Sequence, residues 1–241
     1  MKSEKKCGTP WGMAHRDVTF DSDGFRLSGT LHLPGTGDPP VVVGSHGLLS
    51  SSDSPKQRAL ADECARIGMV YFRFDHRGCG GSEGDFEKET SLESRCRDML
   101  HAVDFLKSQG LSCHRLGLFG SSMGGAVCIS VAATLSFNVM VVNAAPVKLD
   151  RIRSVPGISG KLSSSIGFDL SGNLKQLHHI LAFHGDADDV VPADNAHLIY
   201  EQAREPKRLT LFQHGDHAMS DPDHQERFVR ESVRWFGKHI F

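Results

Sequence analysis

The chain has 241 residues, which suits one large domain over 1–241 of α/β or all-β type better than two small ones. Apolar residues make up 39% and charged residues 23%, enough surface to bury in a core and too little charge excess for a disordered polymer. Lys and Arg number 27 against 29 Asp and Glu, and no stretch concentrates the basic residues, so neither nucleic acid nor an acidic membrane is expected as a partner.

From the amino terminus, Lys2, Lys5 and Lys6 run into Cys7, Gly8 and Pro10 rather than into an apolar stretch. The segment is not read as a secretory signal, and a cytoplasmic location is the expectation. Residues 17–33 then carry Val18 and Phe20, a turn signal at Asp21–Gly24, and Phe25, Leu27, Gly29, Leu31 and Leu33 at every second place, which predicts an antiparallel ribbon with one buried face. Beyond the Pro/Gly-rich turn at 34–40 come short continuous apolar runs at 41–43, 69–72, 116–119, 139–142, 180–183 and 209–212, each suited to a strand buried on both faces. Helical spacing lies between them. Leu92, Cys96, Met99, Val103 and Leu106 form one stripe of a helix starting near Ser91, and Leu60, Cys64 and Ile67 form another. Ala196, Tyr200 and Ala203 repeat the pattern, and Phe228, Val229, Val233 and Phe236 give a closing helix after Pro222. Strand and helix in alternation predict a mostly parallel, doubly wound sheet with helices on both faces.

One segment breaks the rhythm: 147–176 has no sustained period and is long for a loop, so it is read as a lid insertion. Its excess of Lys148, Arg151, Arg153, Lys161 and Lys175 over Asp150 and Asp169 leaves open an anionic substrate or a solvated basic face. The longest nearly apolar stretches, 126–135 and 139–142, fall far short of the roughly 18 residues that span a bilayer, so no membrane span is expected. The six cysteines, at 7, 64, 79, 96, 113 and 128, never form Cys-x-x-Cys pairs and are read as free thiols.

Gly-x-Ser-x-Gly occurs around both Ser122 and Ser82, and context separates the two. Ser122 follows an apolar strand and precedes a helix-length apolar segment, so its hydroxyl sits on a sharp strand-to-helix turn, clear of the sheet. Ser82 lies among glycines and an acidic loop. A serine needs a base, and the base needs an orienting group. Two candidate regions follow late strands: His184 to Pro192, containing Asp186, Asp188 and Asp189, and Gln213 to His217, containing His214 and Asp216.

These motifs resemble the α/β-hydrolase superfamily, whose triad runs in the order Ser, Asp or Glu, His. The resemblance implies the α/β-hydrolase fold, with Ser122 as nucleophile, Asp188 as the acid with Asp186 in reserve, and His217 as the base with His214 in reserve. His46-Gly47-Leu48-Leu49 matches the family's oxyanion loop, which implies backbone N–H donors at Leu48 and Met123. Asp75-His76-Arg77-Gly78 with Ser82 matches a glycine-rich loop of the same family, in which Asp75 and Arg77 fix the loop by hydrogen bonds.

The implied activity is cleavage of a carboxylic ester with a small acyl or aryl-acyl group. A thioesterase or amidase with the same triad, or a catalytically inactive binding module, remains the alternative. Leu48, Leu49, Met123 and Val190 are candidate apolar walls. No metal or organic cofactor is required; the Gly-rich segments lack a dinucleotide fingerprint and a Walker A pattern, and the His/Asp crowding lacks a paired metal motif. A small-molecule ester is the expected partner, and a homodimer stays open as the assembly.

Overall fold

Two strands, β1 (Ala14–Ser22) and β2 (Phe25–Leu33), pair antiparallel about the turn at Asp23 and Gly24. Asp21 Oδ1 accepts a hydrogen bond from the Gly24 N–H and closes that turn. The expected alternation is present, with Leu27 and Leu31 fully buried on one face. These features belong to a computed structural model that describes residues 14–35, 37–149 and 166–241.

The remaining elements alternate: β3 (Val41–Ser45), α1 (Pro55–Arg66), β4 (Val70–Phe74), a single turn α2 (Phe86–Glu89), α3 (Leu92–Ser108), β5 (Leu116–Ser121), α4 (Met123–Val131) and β6 (Val139–Asn143). A two-residue ribbon, β7 (Lys148–Leu149) with β8 (Phe168–Asp169), and a 3-10 turn at Ser171–Gln176 follow. The chain then forms β9 (Ile180–Gly185), α5 (Asp194–Gln202), β10 (Lys207–Phe212) and α6 (Pro222–Ile240). Eight strands share one sheet in the order β1-β2-β4-β3-β5-β6-β9-β10. The pairs β1/β2 and β2/β4 are antiparallel, and all others are parallel.

Every residue of β3, β4, β6 and β9 is buried, because helices cover both sheet faces and continuous apolar runs are what that position requires. Neighbouring strand residues point to opposite faces. Val41 and Val43 therefore join Phe72, Leu118 and Met140 against Met99, Val103 and Leu106 of α3. Val42 joins Tyr71, Phe119 and Leu181 against Leu60 and Cys64 of α1 and Phe228 and Phe236 of α6. Ser91 starts α3 as expected, in a capping box with Ser94.

One position of an expected stripe departs from it, although Ala196 and Ala203 are buried as expected. On α5 the buried residues are Ala196 and Ile199, while Tyr200 is exposed and carries Lys207 Nζ 5.0 Å from its ring centroid. Within 147–176, residues 150–165, with Asp150, Arg151, Arg153 and Lys161, lie outside the described residues. Cys64, Cys79, Cys96, Cys113 and Cys128 are free thiols; Cys7 lies outside the described residues. Among the described residues no helix is long and apolar enough to cross a membrane.

The strand order reverses direction at β3: the chain continues to β4 on one side and to β5 on the other. In open parallel sheets the crevice at such a reversal, beyond the carboxyl ends of the strands, is where groups can converge on a ligand. Ser45 and Gly120 pair across that crevice, so the segments after them, 46–49 and 121–124, are neighbours.

Candidate active site

Ser122 stands between β5 and α4 with φ 53° and ψ −123°. Its N–H donates to the Asn143 carbonyl at 2.8 Å, which ties the turn to β6. His217 lies in the turn after β10, and Asp188 in the turn after β9. These two turns meet closely: a Cβ on Gly185 would collide with the Gly215 carbonyl, so glycine at 185 lets the two loops touch.

Three side chains far apart in sequence thereby come together. Ser122 Oγ lies 3.0 Å from His217 Nε2, and His217 Nδ1 lies 2.8 Å from Asp188 Oδ2. With Nδ1–H donating to the carboxylate, Nε2 is the acceptor for the serine hydroxyl. The Asp188 side chain is wholly buried and that of His217 is 23% exposed. Asp188 Oδ1 accepts from the N–H groups of Val190 and Val191 at 2.9 and 2.8 Å. Burial alone would raise the Asp188 pKa, but the hydrogen bonds from His184 and His217 outweigh it and hold the carboxyl well below the ordinary carboxylate range.

The reserve residues are accounted for by each other: Asp186 Oδ1 accepts from the His214 N–H at 2.6 Å, a turn-closing bond on the same two loops. Asp216 caps the next turn by accepting from the Ser220 N–H at 2.7 Å. Ser82 is structural, its hydroxyl donating to the Asp75 carbonyl at 2.6 Å and accepting from the Ser28 N–H at 2.9 Å. Asp75 holds the Ser52 and Gly81 amides, at 2.7 and 3.0 Å. Arg77 Nε donates to Asp98 at 2.9 Å.

Leu48 and Met123 each follow a residue of the contact between Gly47 and Ser122. A Cβ built on Gly47 would stand 3.5 Å from Ser122 Cβ, so the 46–48 segment abuts the Ser122 turn. Met123 opens α4, where the first N–H groups of a helix have no partner within the helix. Leu48 and Met123 also join an apolar cluster with Ile166, Phe86, Leu92, Leu149 and Phe168. Leu49 and Val190, two of the expected wall residues, are instead exposed, at 55% and 58%.

Three histidines around this site take roles that the motifs containing them do not assign. His184 is fully buried on β9, with Nε2 placed to donate to the Val191 carbonyl at 2.8 Å and lying 3.2 Å from Asp188 Oδ2. Its position in a buried strand was the available signal. Beneath the serine, His46 Nε2 accepts from the His76 N–H at 3.1 Å, and His76 lies between Ser45 at 2.8 Å and Asp98 at 3.3 Å. Among the described residues, the group placed to offer ligand atoms to a metal is His15, His32 and Asp62, on β1, β2 and α1. There Arg73 Nε–H donates to His32 Nε2 at 2.8 Å, so the proton of the neutral ring sits on Nδ1 and donates to Asp62. A hydrogen-bond role fits those residues better than a metal.

Comparison with known proteins agrees with this architecture. Escherichia coli (strain K12) has a relative, the uncharacterized protein YfhR, that is 26% identical over 233 residues, covering 93% of this chain and 80% of its own length. Est1E from Butyrivibrio proteoclasticus, in a structure with ferulic acid bound, has a TM-score of 0.79 at 19% identity, covering 92% of this chain and 99% of that one. The Pyrococcus furiosus esterase Pf2001 has a TM-score of 0.80 at 19% identity, covering 97% and 96%. A family model, Hydrolase_4, described as serine aminopeptidase S33, matches residues 39–170. The chain therefore belongs to the Hydrolase_4 family of α/β-hydrolases.

Proposed function

We propose that the protein is a serine hydrolase that cleaves a carboxylic ester through an acyl-enzyme. The observation that carries this reading is the continuous array from Ser122 Oγ through His217 to Asp188, with separations of 3.0 and 2.8 Å. His217 Nε2 takes the hydroxyl proton as Ser122 Oγ attacks the acyl carbonyl. Asp188, ionised and held by the Val190 and Val191 amides and by His217, keeps the imidazole in the Nδ1–H tautomer and stabilises its cation. The carbonyl oxygen, now negative, is received by the backbone N–H groups of Leu48 and Met123. His217 returns the proton to the departing alcohol. Water then enters, gives a proton to the same nitrogen and attacks the acyl carbon, and collapse of the second tetrahedral adduct frees Ser122 and the acid.

An ester is favoured as substrate by the likeness to the Pyrococcus furiosus esterase fold and by the apolar cluster of Met123, Ile166, Leu48 and Phe168 next to the serine. That cluster suits a small acyl or aryl-acyl group.

Fluorophosphonate labelling followed by peptide mapping tests the nucleophile. Covalent capture at Ser122 is expected, together with p-nitrophenyl ester turnover that Ser122→Ala lowers by about a million-fold without unfolding. A folded Ser122→Ala variant with undiminished turnover would sink the reading.

A further inference from the structure

Arg95 lies on the first turn of α3, and no part of it is exposed. Its partners among the described residues are three backbone carbonyls and one thiol, with no carboxylate. Nη1 donates to the carbonyls of His46 and Gly47 at 3.4 and 3.2 Å, and Nη2 donates to the Leu48 carbonyl at 3.1 Å and to Cys79 Sγ at 3.4 Å. Nε is buried and has no partner among the described residues. A guanidinium taken out of water with no carboxylate in contact is costly, and an apolar side chain of similar length would fill the same space without that cost. Stability alone therefore gives a weak account of an arginine at this position.

What the guanidinium does is gather three consecutive carbonyls to one side. We propose that Arg95 is a positioning residue for the hydrolysis, fixing the peptide planes of 46–48 so that the Leu48 N–H faces the acyl oxygen; this rests on the proposed function above. In a trans peptide the C=O and the following N–H point in opposite directions. The Gly47 carbonyl belongs to the same peptide unit as the Leu48 N–H, and it is held from one side by two donors, Arg95 Nη1 and His46 Nδ1 at 2.7 Å. His46 can supply that second donor because its Nε2 is occupied as an acceptor by the His76 N–H. The Leu48 N–H is thus directed away from the guanidinium, and Gly47 already lies against Ser122. Without Arg95 the Gly47 peptide, flanked by a glycine, is free to rotate, and the amide is no longer pre-aimed.

Two variants test this. Arg95→Met keeps an unbranched apolar stem and removes every donor; Arg95→Lys keeps the charge but reaches fewer carbonyls. With p-nitrophenyl butyrate, Arg95→Met is expected to lower kcat by about 100-fold, the scale of a lost oxyanion donor, with KM within about threefold. Arg95→Lys recovers about tenfold of that loss. The affinity for phenylboronic acid, whose tetrahedral adduct on Ser122 puts an anionic oxygen at the Leu48 amide, falls by the same factor as kcat. A residue that served packing alone would lower the urea midpoint and leave the boronate affinity of the folded fraction untouched. If Arg95→Met does not fold, Arg95→Lys decides by the same parallel loss. Unchanged kcat and boronate affinity in a folded variant, with the wild type still captured by fluorophosphonate at Ser122, overturns the role of Arg95 alone. Failure of the wild type to be captured overturns the triad reading and this one together.

Discussion

Ser122 is held where a residue with a Cβ is strained: φ 53° with ψ −123° is a conformation that glycine adopts freely and other residues adopt at a cost. The turn presents the hydroxyl 3.0 Å from His217 Nε2, so the strain and the reactive geometry have one origin. The stability cost can be isolated by comparing two variants. Ser122→Ala and Ser122→Gly both remove the hydroxyl and its hydrogen bond, but only alanine keeps the Cβ. Ser122→Gly should therefore be the more stable by about 1 kcal/mol, the relief of strain exceeding the greater chain entropy of glycine in the unfolded state. Urea midpoints of the two variants check this. A glycine variant equal to or weaker than the alanine variant would mean that the turn stores no such strain.

At the scale of elements, the site depends on how closely α4 approaches β3 behind the serine. A Cβ on Gly124 would run into the Ser45 carbonyl, and one on Gly125 would stand 2.5 Å from Ala145 Cβ. At Gly124 the helix and strand backbones touch with no side chain between them. Gly124→Ala must push α4 off the sheet and is expected to cost about 3 kcal/mol, the upper part of the range for overpacking. Gly172→Ala, whose added Cβ meets nothing within 4 Å, serves as the control and should lie within about 0.5 kcal/mol of the wild type in the same urea titration. Equal midpoints for the two variants would refute the steric account. This level was also the most legible in the sequence. Glycines flanking a serine between an apolar strand and an apolar helix define the turn locally, and runs such as Val41–Val43 can be nothing but doubly buried once helices alternate with them. The miss at Tyr200 has a physical cause: on the short α5, Ile199 and Tyr200 differ by one place, and only the packing of Ala196 and Ile199 decides which faces the core. His46, His76, Arg95 and Asp98 are not legible as a group because the sequence shows polar residues in loop and helix contexts, whereas their burial arises only in the folded packing.

The whole molecule carries that buried polar layer as a pH-dependent contribution to stability. Burial drives the His46 and His76 rings toward the neutral form, His46 well below its ordinary pKa and His76 to about 4; burial, with His15 and Arg73 nearby, takes His32 to about 4. In the unfolded chain each titrates near 6.5. Between these limits the unfolded state binds protons that the folded state refuses, so stability is complete above about pH 6.5 and declines as the pH falls toward 4. Each such histidine contributes at most about 1.4 kcal/mol per pH unit. Asp98 acts lower on the scale. Its burial opposes ionisation, but His76 and Arg77 outweigh that and hold its carboxyl well below the ordinary range; Asp188 behaves alike through His184 and His217. Their contribution is present above about pH 4 and is lost only below it, after the histidine term has already run down. The expected profile is therefore a urea midpoint that is flat from pH 8 to 7, falls steadily from 6.5 to 4.5 at constant m-value, and ends in acid unfolding. Replacing His32 by Gln, which can accept from Arg73 and donate to Asp62 without titrating, should shallow that slope by up to about 1.4 kcal/mol per pH unit, the share of one histidine. A midpoint that holds constant down to pH 5 would show that these rings take up protons as readily inside the fold as outside it, and the buried layer would then be neither as dry nor as closely hydrogen-bonded as its distances imply.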